Sequence, residues 1–187
     1  MYAVLLDACV LVPNSLCDTL LRLAEHGFYR PLWSQRILDE VEYAVLKVHP
    51  ELDEARIRAR ITAMSGAFDD AMVLGWEQTC AGIDLPDLDD RHVLAAAIKG
   101  GAQSLVTFNL KDFPDNYLTT TDIEVVHPDE FLLDQLDLYP GLALKALTEQ
   151  AADLRNPTSD LAGVLNRLER CGVPRFADEV RLLAPTS

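Results

Sequence analysis

The chain has 187 residues, of which 49% are hydrophobic, so it is long enough to bury one good core and is not disordered. Its formal net charge of −14 at pH 7 argues against a general electrostatic attraction to nucleic acid or to an anionic membrane. A polyanionic substrate would therefore need a metal ion or a local basic patch. The opening segment has no basic leader, and no apolar run is long enough to span a membrane. The four cysteines form no CxxC pair, so we expect reduced thiols in a cytoplasmic protein.

Predicted strands and helices alternate from the start of the chain. Residues 2–6 form a continuous apolar run that suits a strand buried on both faces, and this run stops at Asp7. After a leucine-rich helix, residues 30–33 predict a second strand. Ser34 then suits the N-cap of a long helix, on which Glu40 lies at the rim of the apolar stripe.

Residues 85–114 predict a loop, a helix, a glycine turn, a strand and a second loop. The helix should begin near Asp89 and end at Gly100, because aspartates suit a first turn and glycine suits the residue after the last turn. By the helical period, Asp90 shares a face with apolar residues. Its carboxylate is therefore aimed toward the protein.

The strand that follows this helix carries polar residues at its carboxyl end. It covers residues 104–107 and ends at Thr107; Asn109 and Asp112 come next, and residues 123–127 predict a further strand. This alternation predicts an α/β fold with three α/β/α layers and a central parallel sheet.

A change of pattern near residue 140 predicts the domain organisation. We expect an α/β domain over residues 1–137 and a helical C-terminal extension over residues 138–187, which is too short to form a core of its own. The extension should pack on the α/β domain or on a partner. Within it, residues 143–155, a segment from Ser159 and residues 175–183 predict helices, with Pro157 between the first two.

Several side chains should meet where the strands end. In a doubly wound sheet, the carboxyl ends of adjacent strands and the starts of nearby helices face one crevice. Carboxylates gathered there repel one another unless a hard divalent cation offsets their charge, so the pattern favours Mg²⁺ (or Mn²⁺), while the lack of a His/Cys constellation disfavours zinc. The candidate residues are Asp7, Glu40, Asp90, Thr107, Asn109 and Asp112.

The chemistry of such a site follows from its electrostatics. A bound cation lowers the pKa of water, holds a phosphodiester and stabilises the charge that develops on the leaving oxygen. Hydrolysis of a nucleic-acid backbone is the natural reaction, and a metal site would explain how an acidic protein engages a polyanion.

Four short motifs, in order and over roughly the first 135 residues, resemble those of the PIN-domain ribonucleases, in particular the VapC-like toxins of toxin–antitoxin pairs. The motifs are LLDACVLVPNSL, PLWSQRILDEV, LPDLDDRHVLAAAI and LVTFNLKDFP, and HPDEFL follows them. The resemblance implies a metal-dependent endoribonuclease in which Asp7, Glu40 and Asp90 match the metal-binding acids. It also implies an RNA substrate, inhibition by a cognate antitoxin protein and a homodimer.

The chain departs from the family pattern at one position. Many members carry an aspartate two residues after the threonine of this strand, where this chain has Asn109, and Asp112 offers the remaining acid. An amide supplies no charge, so either one or two metals could bind. Thr107 and Asn109 would orient the metal or the water.

Less specific interpretations remain beside these. His92 points about 200° away from Asp90 on the helix, which suggests a surface or packing residue rather than a ligand. Arg36 could touch phosphates, although a solvated face or ion pairs explain it as well. One rival function is a catalytically weak PIN-fold protein that binds RNA or protein. Another is a phosphatase, but Cys9 stands where the second acid of a nucleophilic aspartate motif would be.

Overall fold

A computed structural model describes residues 1–119, 121–154 and 159–184. The chain forms two compact units, one of Met1–Val12 with Tyr29–Val126 and one of Pro13–Phe28 with His127–Ser187. The predicted boundary between folding domains at residue 137 stays a prediction. Arg155 and Pro157, part of the predicted C-terminal pattern, lie outside the described residues.

The first unit contains a four-stranded parallel sheet, as predicted, with the spatial order β2-β1-β3-β4. Its strands are β1 (Ala3–Leu6), β2 (Arg30–Leu32), β3 (Ser104–Val106) and β4 (Glu124–Val126).

The helices of the described chain agree with the predicted alternation and with the predicted helical C-terminal region. They are α1 (Ala8–Leu11), α2 (Asn14–Glu25), α3 (Gln35–Val48), α4 (Glu54–Ala67), α5 (Glu77–Cys80), α6 (Arg91–Gly100), α7 (Asp115–Leu118), α8 (Pro128–Leu138), α9 (Pro140–Asp153), α10 (Leu161–Arg170) and α11 (Pro174–Leu183). A 3-10 turn, Leu110–Asp112, follows β3.

Strand β1 is the centre of the first unit because every residue in it is buried. Leu5 pairs with Leu32 on one side and with Leu105 on the other. Such a continuous apolar run is what a parallel strand covered on both faces requires. Helix α6 packs against β1 and β3. These contacts bring the ends of β1 and β3 and the start of α6 into one region.

Local signals fix the ends of the helices in this unit. The Ser34 hydroxyl accepts a hydrogen bond from Ile37 N at 3.3 Å, which confirms the predicted N-cap of α3. Helix α6 ends at Gly101, whose φ of 66° is left-handed and favours glycine. Gly100 lies so close to β2 that a Cβ there would be 2.8 Å from Leu32 Cδ1.

The second unit is helical. In it α2 packs with α9 and α10, and α8 packs with α11. The buried Asp129 carboxylate accepts hydrogen bonds from Phe176 N at 2.9 Å and Arg175 N at 3.2 Å, so it caps the first turn of α11. Thr19 donates to Gln150 Oε1 at 2.7 Å and links α2 to α9. Among the described residues, no helix has the length and apolar character needed to cross a membrane.

Candidate active site

The carboxylate of Asp7 lies at the carboxyl end of β1, where it is 7% exposed and held by hydrogen bonds. Its Oδ1 accepts from Ala8 N at 2.6 Å, so Asp7 caps α1. Its Oδ2 accepts from Thr107 Oγ1 at 2.6 Å. Because Thr107 directly follows β3, the side chain of Asp7 is fixed between two neighbouring strand ends.

Cys9 and Thr107 both hold that carboxylate by hydrogen bonds. The Cys9 thiol donates to Asp7 Oδ2 at 3.1 Å, and Phe108 N donates to Cys9 Sγ at 3.3 Å. Burial and the charge of Asp7 raise the pKa of the Cys9 thiol to about 12. Cys9 is therefore a neutral hydrogen-bond donor at pH 7, and it is unsuited to act as a nucleophile or a metal-binding thiolate.

Asp90 stands at the N-cap position of α6, yet its side chain makes no capping hydrogen bond. Burial raises the pKa of Asp90 to about 6, together with the charges of Asp112, Asp87 and Asp7, while His92 acts in the opposite direction. The charges of Asp112, Asp87 and Asp7 thus act on Asp90, and its raised pKa reflects both its burial and these like charges.

The residues after β3 include two further candidates, Asn109 and Asp112. Asp112 is half-buried in the 3-10 turn, where its N donates to Asn109 O at 3.0 Å. Asn109 is exposed, and its N donates to Thr107 Oγ1 at 3.0 Å. This short network connects Asn109 and Asp112 to the hydroxyl that holds Asp7.

Glu40 lies on α3 and is committed to ion pairs. Its Oε1 is 2.9 Å from His92 Nε2 and 3.3 Å from Arg36 Nε. Burial works to raise the pKa of Glu40, but the hydrogen bond and charge of His92, together with Arg36, lower it overall. Glu40 is not among the charges that shift the pKa of Asp90. The acidic charges that act on Asp90 are therefore those of Asp112, Asp87 and Asp7, and Glu40 contacts α6 through His92.

The interpretation of His92 as a surface or packing residue was incomplete. His92 is 6% exposed and contacts Glu40, one of the candidate acids. Helix α6 is buried on most of its circumference, so His92 lies inside the protein and contacts Glu40 on α3 rather than solvent. The sequence contained one signal for the contact between His92 and Glu40: His92 lies in the same motif as Asp90, and Glu40 was expected in the same site.

The fit of the site to a divalent cation depends on the chemistry of its side chains. Within residues 1–119, 121–154 and 159–184, no three His, Cys, Asp or Glu side chains lie close enough to form a ready metal site. The donor set nevertheless consists of hard oxygens, and the pKa of Asp90 is raised by burial and by the charges of Asp112, Asp87 and Asp7, while His92 acts in the opposite direction. Mg²⁺ takes only one or two carboxylates and completes its shell with water and phosphate. The residues fit such an ion by their chemistry.

Comparison with known proteins decides the family. A PIN-domain family model matches residues 3–111, more than half of the chain, and this span includes β1, β2, β3 and the helices between them. The chain belongs to the PIN-domain family. The resemblance inferred from the four motifs is thereby confirmed, and so is the α/β fold class. The match spans every candidate residue except Asp112, which lies one position beyond its end.

The second unit of this PIN-domain protein also has a recognisable counterpart. Residues 128–182 match the model of the VapC50 C-terminal domain. The chain is 36% identical, over 137 residues, to a Mycobacterium tuberculosis protein named "Putative ribonuclease VapC50". The aligned region covers 73% of this chain and 79% of that protein. No solved structure matches the chain. The C-terminal helices are therefore a feature shared with VapC50-like proteins.

Proposed function

We propose that this chain is a Mg²⁺- or Mn²⁺-dependent endoribonuclease that acts as the toxin of a toxin–antitoxin pair. Membership of the PIN family and the likeness to a protein named as a ribonuclease support the reaction class. The observation that carries the proposal is the carboxyl of Asp90, whose pKa is raised to about 6 first by burial and then by the charges of Asp112, Asp87 and Asp7. Such a set of like charges suits a site built to hold a cation.

In this proposal, the metal ion is held by the carboxylates of Asp7, Asp90 and Asp112. Glu40, which contacts His92, adds a further carboxylate to the site. When bound, the ion supplies an activated water and offsets the charge of the reacting phosphodiester. Asp7 needs no rearrangement for this role, because Ala8 N and Thr107 Oγ1 already fix its carboxylate.

The neutral residues around the acids set their positions. The Thr107 hydroxyl donates a hydrogen bond to Asp7 and accepts one from Asn109 N, so it orients both the carboxylate and the loop after β3. The exposed Asn109 amide would orient water or a metal ligand without adding charge. Because Asn109 adds no negative charge, a second metal ion would be offset less well than the first. No covalent enzyme intermediate is needed.

The proposal also includes an RNA substrate, protein partners and a location. Single-stranded RNA is favoured over duplex, because its backbone can reach a recessed site. A cognate antitoxin protein, a homodimer and a cytoplasmic location are proposed from the membership of the VapC-like group.

Cleavage of a cellular RNA pool by purified protein, with mapping of the new 5′ ends, tests this function. Wild type should cut at defined positions when Mg²⁺ or Mn²⁺ is added and should be inactive in EDTA, and Asp90→Asn should lose at least about a hundred-fold of the rate. Asp69→Asn, which removes an exposed acid outside the candidate site and the cavity beside Glu40, is the matched control and should cut normally. Cleavage that survives both EDTA and Asp90→Asn would exclude the proposed mechanism.

A second function has one observation in its favour. Glu40 Oε1 contacts Arg36 Nε and His92 Nε2, and within the described residues no three His, Cys, Asp or Glu side chains form a ready metal site, as expected of a PIN protein that only binds RNA or protein. A growth-arrest assay at matched expression separates the two. Growth arrest by wild type but not by Asp7→Asn supports the nuclease, whereas equal arrest by both supports the binding protein.

A further inference from the structure

A cavity of about 470 Å³ opens beside Glu40 in the first unit. Both ion-pair partners of Glu40 line it, and so do an aromatic ring and a second arginine from the start of α6. Its size falls within the range of small-ligand sites. The lining residues used below are Arg36, Trp76, Glu77, Asp89, Arg91 and His92.

The cavity holds basic and aromatic side chains together in an acidic protein. The guanidinium groups of Arg36 and Arg91 both act on Cys80, whose thiol pKa is raised by burial and Glu77 and lowered by these two arginines. Both arginines also line this cavity. Arg91 is only weakly engaged, since its Nη2 is 3.9 Å from the exposed Asp84.

Two buried nitrogen atoms at the cavity lack partners. Among the described residues, none offers a hydrogen bond to His92 Nδ1 or to Arg91 Nε, although both atoms are buried. Buried polar atoms are normally satisfied, so these two nitrogens gain a partner only if the side chains that line the cavity shift when a ligand binds. His92 is more than nine-tenths buried, which makes it part of a built wall rather than a mobile surface side chain.

The aromatic ring completes the chemistry. Trp76 lies 5.9 Å from the His92 ring with an interplanar angle of 57°, and it is partly exposed. A partly exposed indole with nearby guanidinium groups is the usual platform for an unpaired base and its phosphate. Glu77 and Asp89 add acceptors for the amino groups of a base.

We propose that this cavity binds one unpaired nucleotide of the RNA substrate, with its base on Trp76 and its phosphate or polar edge on Arg91. This inference rests on the proposed ribonuclease function. The bound nucleotide lies next to Glu40, and Arg91 directly follows Asp90, so the adjoining phosphodiester reaches the acidic site. Cleavage then depends on the identity or accessibility of the base in the cavity.

The protein carries its own probe for this site. It has two tryptophans, and Trp33 is fully buried, so quenching of tryptophan emission by an added nucleotide reports on Trp76. The titration uses the four 5′-mononucleotides in EDTA, where no cleavage can occur, and inorganic phosphate as a separate arm. We expect saturable quenching by at least one mononucleotide and a weaker effect of phosphate.

Two variants locate the binding. Arg91→Gln should raise the Kd about ten-fold or more, since a hydrogen bond to a charged group is lost. Arg58→Gln, which removes an exposed arginine paired with Glu42 and lies outside the cavity lining, should leave the Kd unchanged. Calorimetry with Trp76→Ala and Trp76→Phe gives a second readout: alanine should weaken binding about five-fold or more, and phenylalanine should retain most of it.

The outcomes separate this inference from the proposed function. Quenching in EDTA that Arg91→Gln weakens supports the nucleotide site even if no RNA cleavage is found. A mononucleotide titration without quenching overturns the inference, and so does the finding that a protein segment fills the cavity. Neither result decides whether the protein cleaves RNA with a metal ion. Equal effects of phosphate and mononucleotides, or equal affinities of wild type and Arg91→Gln, also overturn the inference.

Discussion

Replacing Asp90 with asparagine should stabilise the metal-free protein at alkaline pH. The pKa of Asp90 is raised from 3.8 to about 6 by burial and by Asp112, Asp87 and Asp7, so its charged form is disfavoured in the folded state. A shift of that size corresponds to roughly 3 kcal/mol at 1.36 kcal/mol per pH unit. Because the carboxyl is partly solvated, screening reduces the expected gain to about 1 kcal/mol.

The sign of the pH dependence follows from linkage. Between pH 4 and 6 the folded state binds more protons at Asp90 than the unfolded state, so this group lowers stability as the pH rises through that window. Its cost is absent below about pH 4 and fully present above pH 6. The advantage of Asp90→Asn over wild type should therefore be close to zero near pH 4 and about 1 kcal/mol at pH 8.

Urea denaturation in EDTA at both pH values measures this difference. Asp89→Asn removes the same formal charge from an exposed neighbour that is not among the charges acting on Asp90, so it should stay within about 0.5 kcal/mol of wild type. A loss of stability in Asp90→Asn, or a gain that is the same at pH 4 and pH 8, would refute the electrostatic account of the site.

Three further predictions concern the frame around the site and the second unit. Thr107→Val should cost about 1–3 kcal/mol in urea denaturation, because Asp7 Oδ2 loses its 2.6 Å donor, while Thr107→Ser should restore most of it. Gly100→Ala should cost about 1–3 kcal/mol, since a Cβ would lie 2.8 Å from Leu32 Cδ1, and unchanged thermal stability would contradict this contact. Asp129→Ala should cost about 1–3 kcal/mol and increase amide exchange in the first turn of α11, because Phe176 N loses its 2.9 Å acceptor; normal protection there would contradict the capping role.

Local patterns predicted most of the first unit. The apolar run of β1, the Ser34 cap and the glycine turn after α6 each act over a few residues, so their signals are visible in the sequence. The C-terminal helices were predicted for the same reason. The packing of α2 with the C-terminal helices α9 and α10 was not predicted, because an amphipathic pattern shows that a face is buried but not what covers it.

The features of the candidate site that depend on local sequence could also be predicted, whereas those that depend on tertiary contacts could not. Asp7 and Asp90 could be placed because strand ends and helix starts share one edge of a parallel sheet. The pairing of Glu40 with His92 could not, since it depends on the distance between α3 and a buried face of α6. The role of Cys9 as a neutral donor to Asp7 was also hidden, because it depends on burial that the sequence pattern alone does not give.

The central claim is that carboxylates of Asp7, Asp90 and Asp112 hold a divalent cation. The most direct test is anomalous X-ray diffraction from crystals soaked in Mn²⁺, for wild type and for Asp90→Asn. The account predicts one strong manganese peak bounded by Asp7 and Asp90 in wild type, which is lost in the variant. A peak bound elsewhere, or one that Asp90→Asn leaves unchanged, would contradict it.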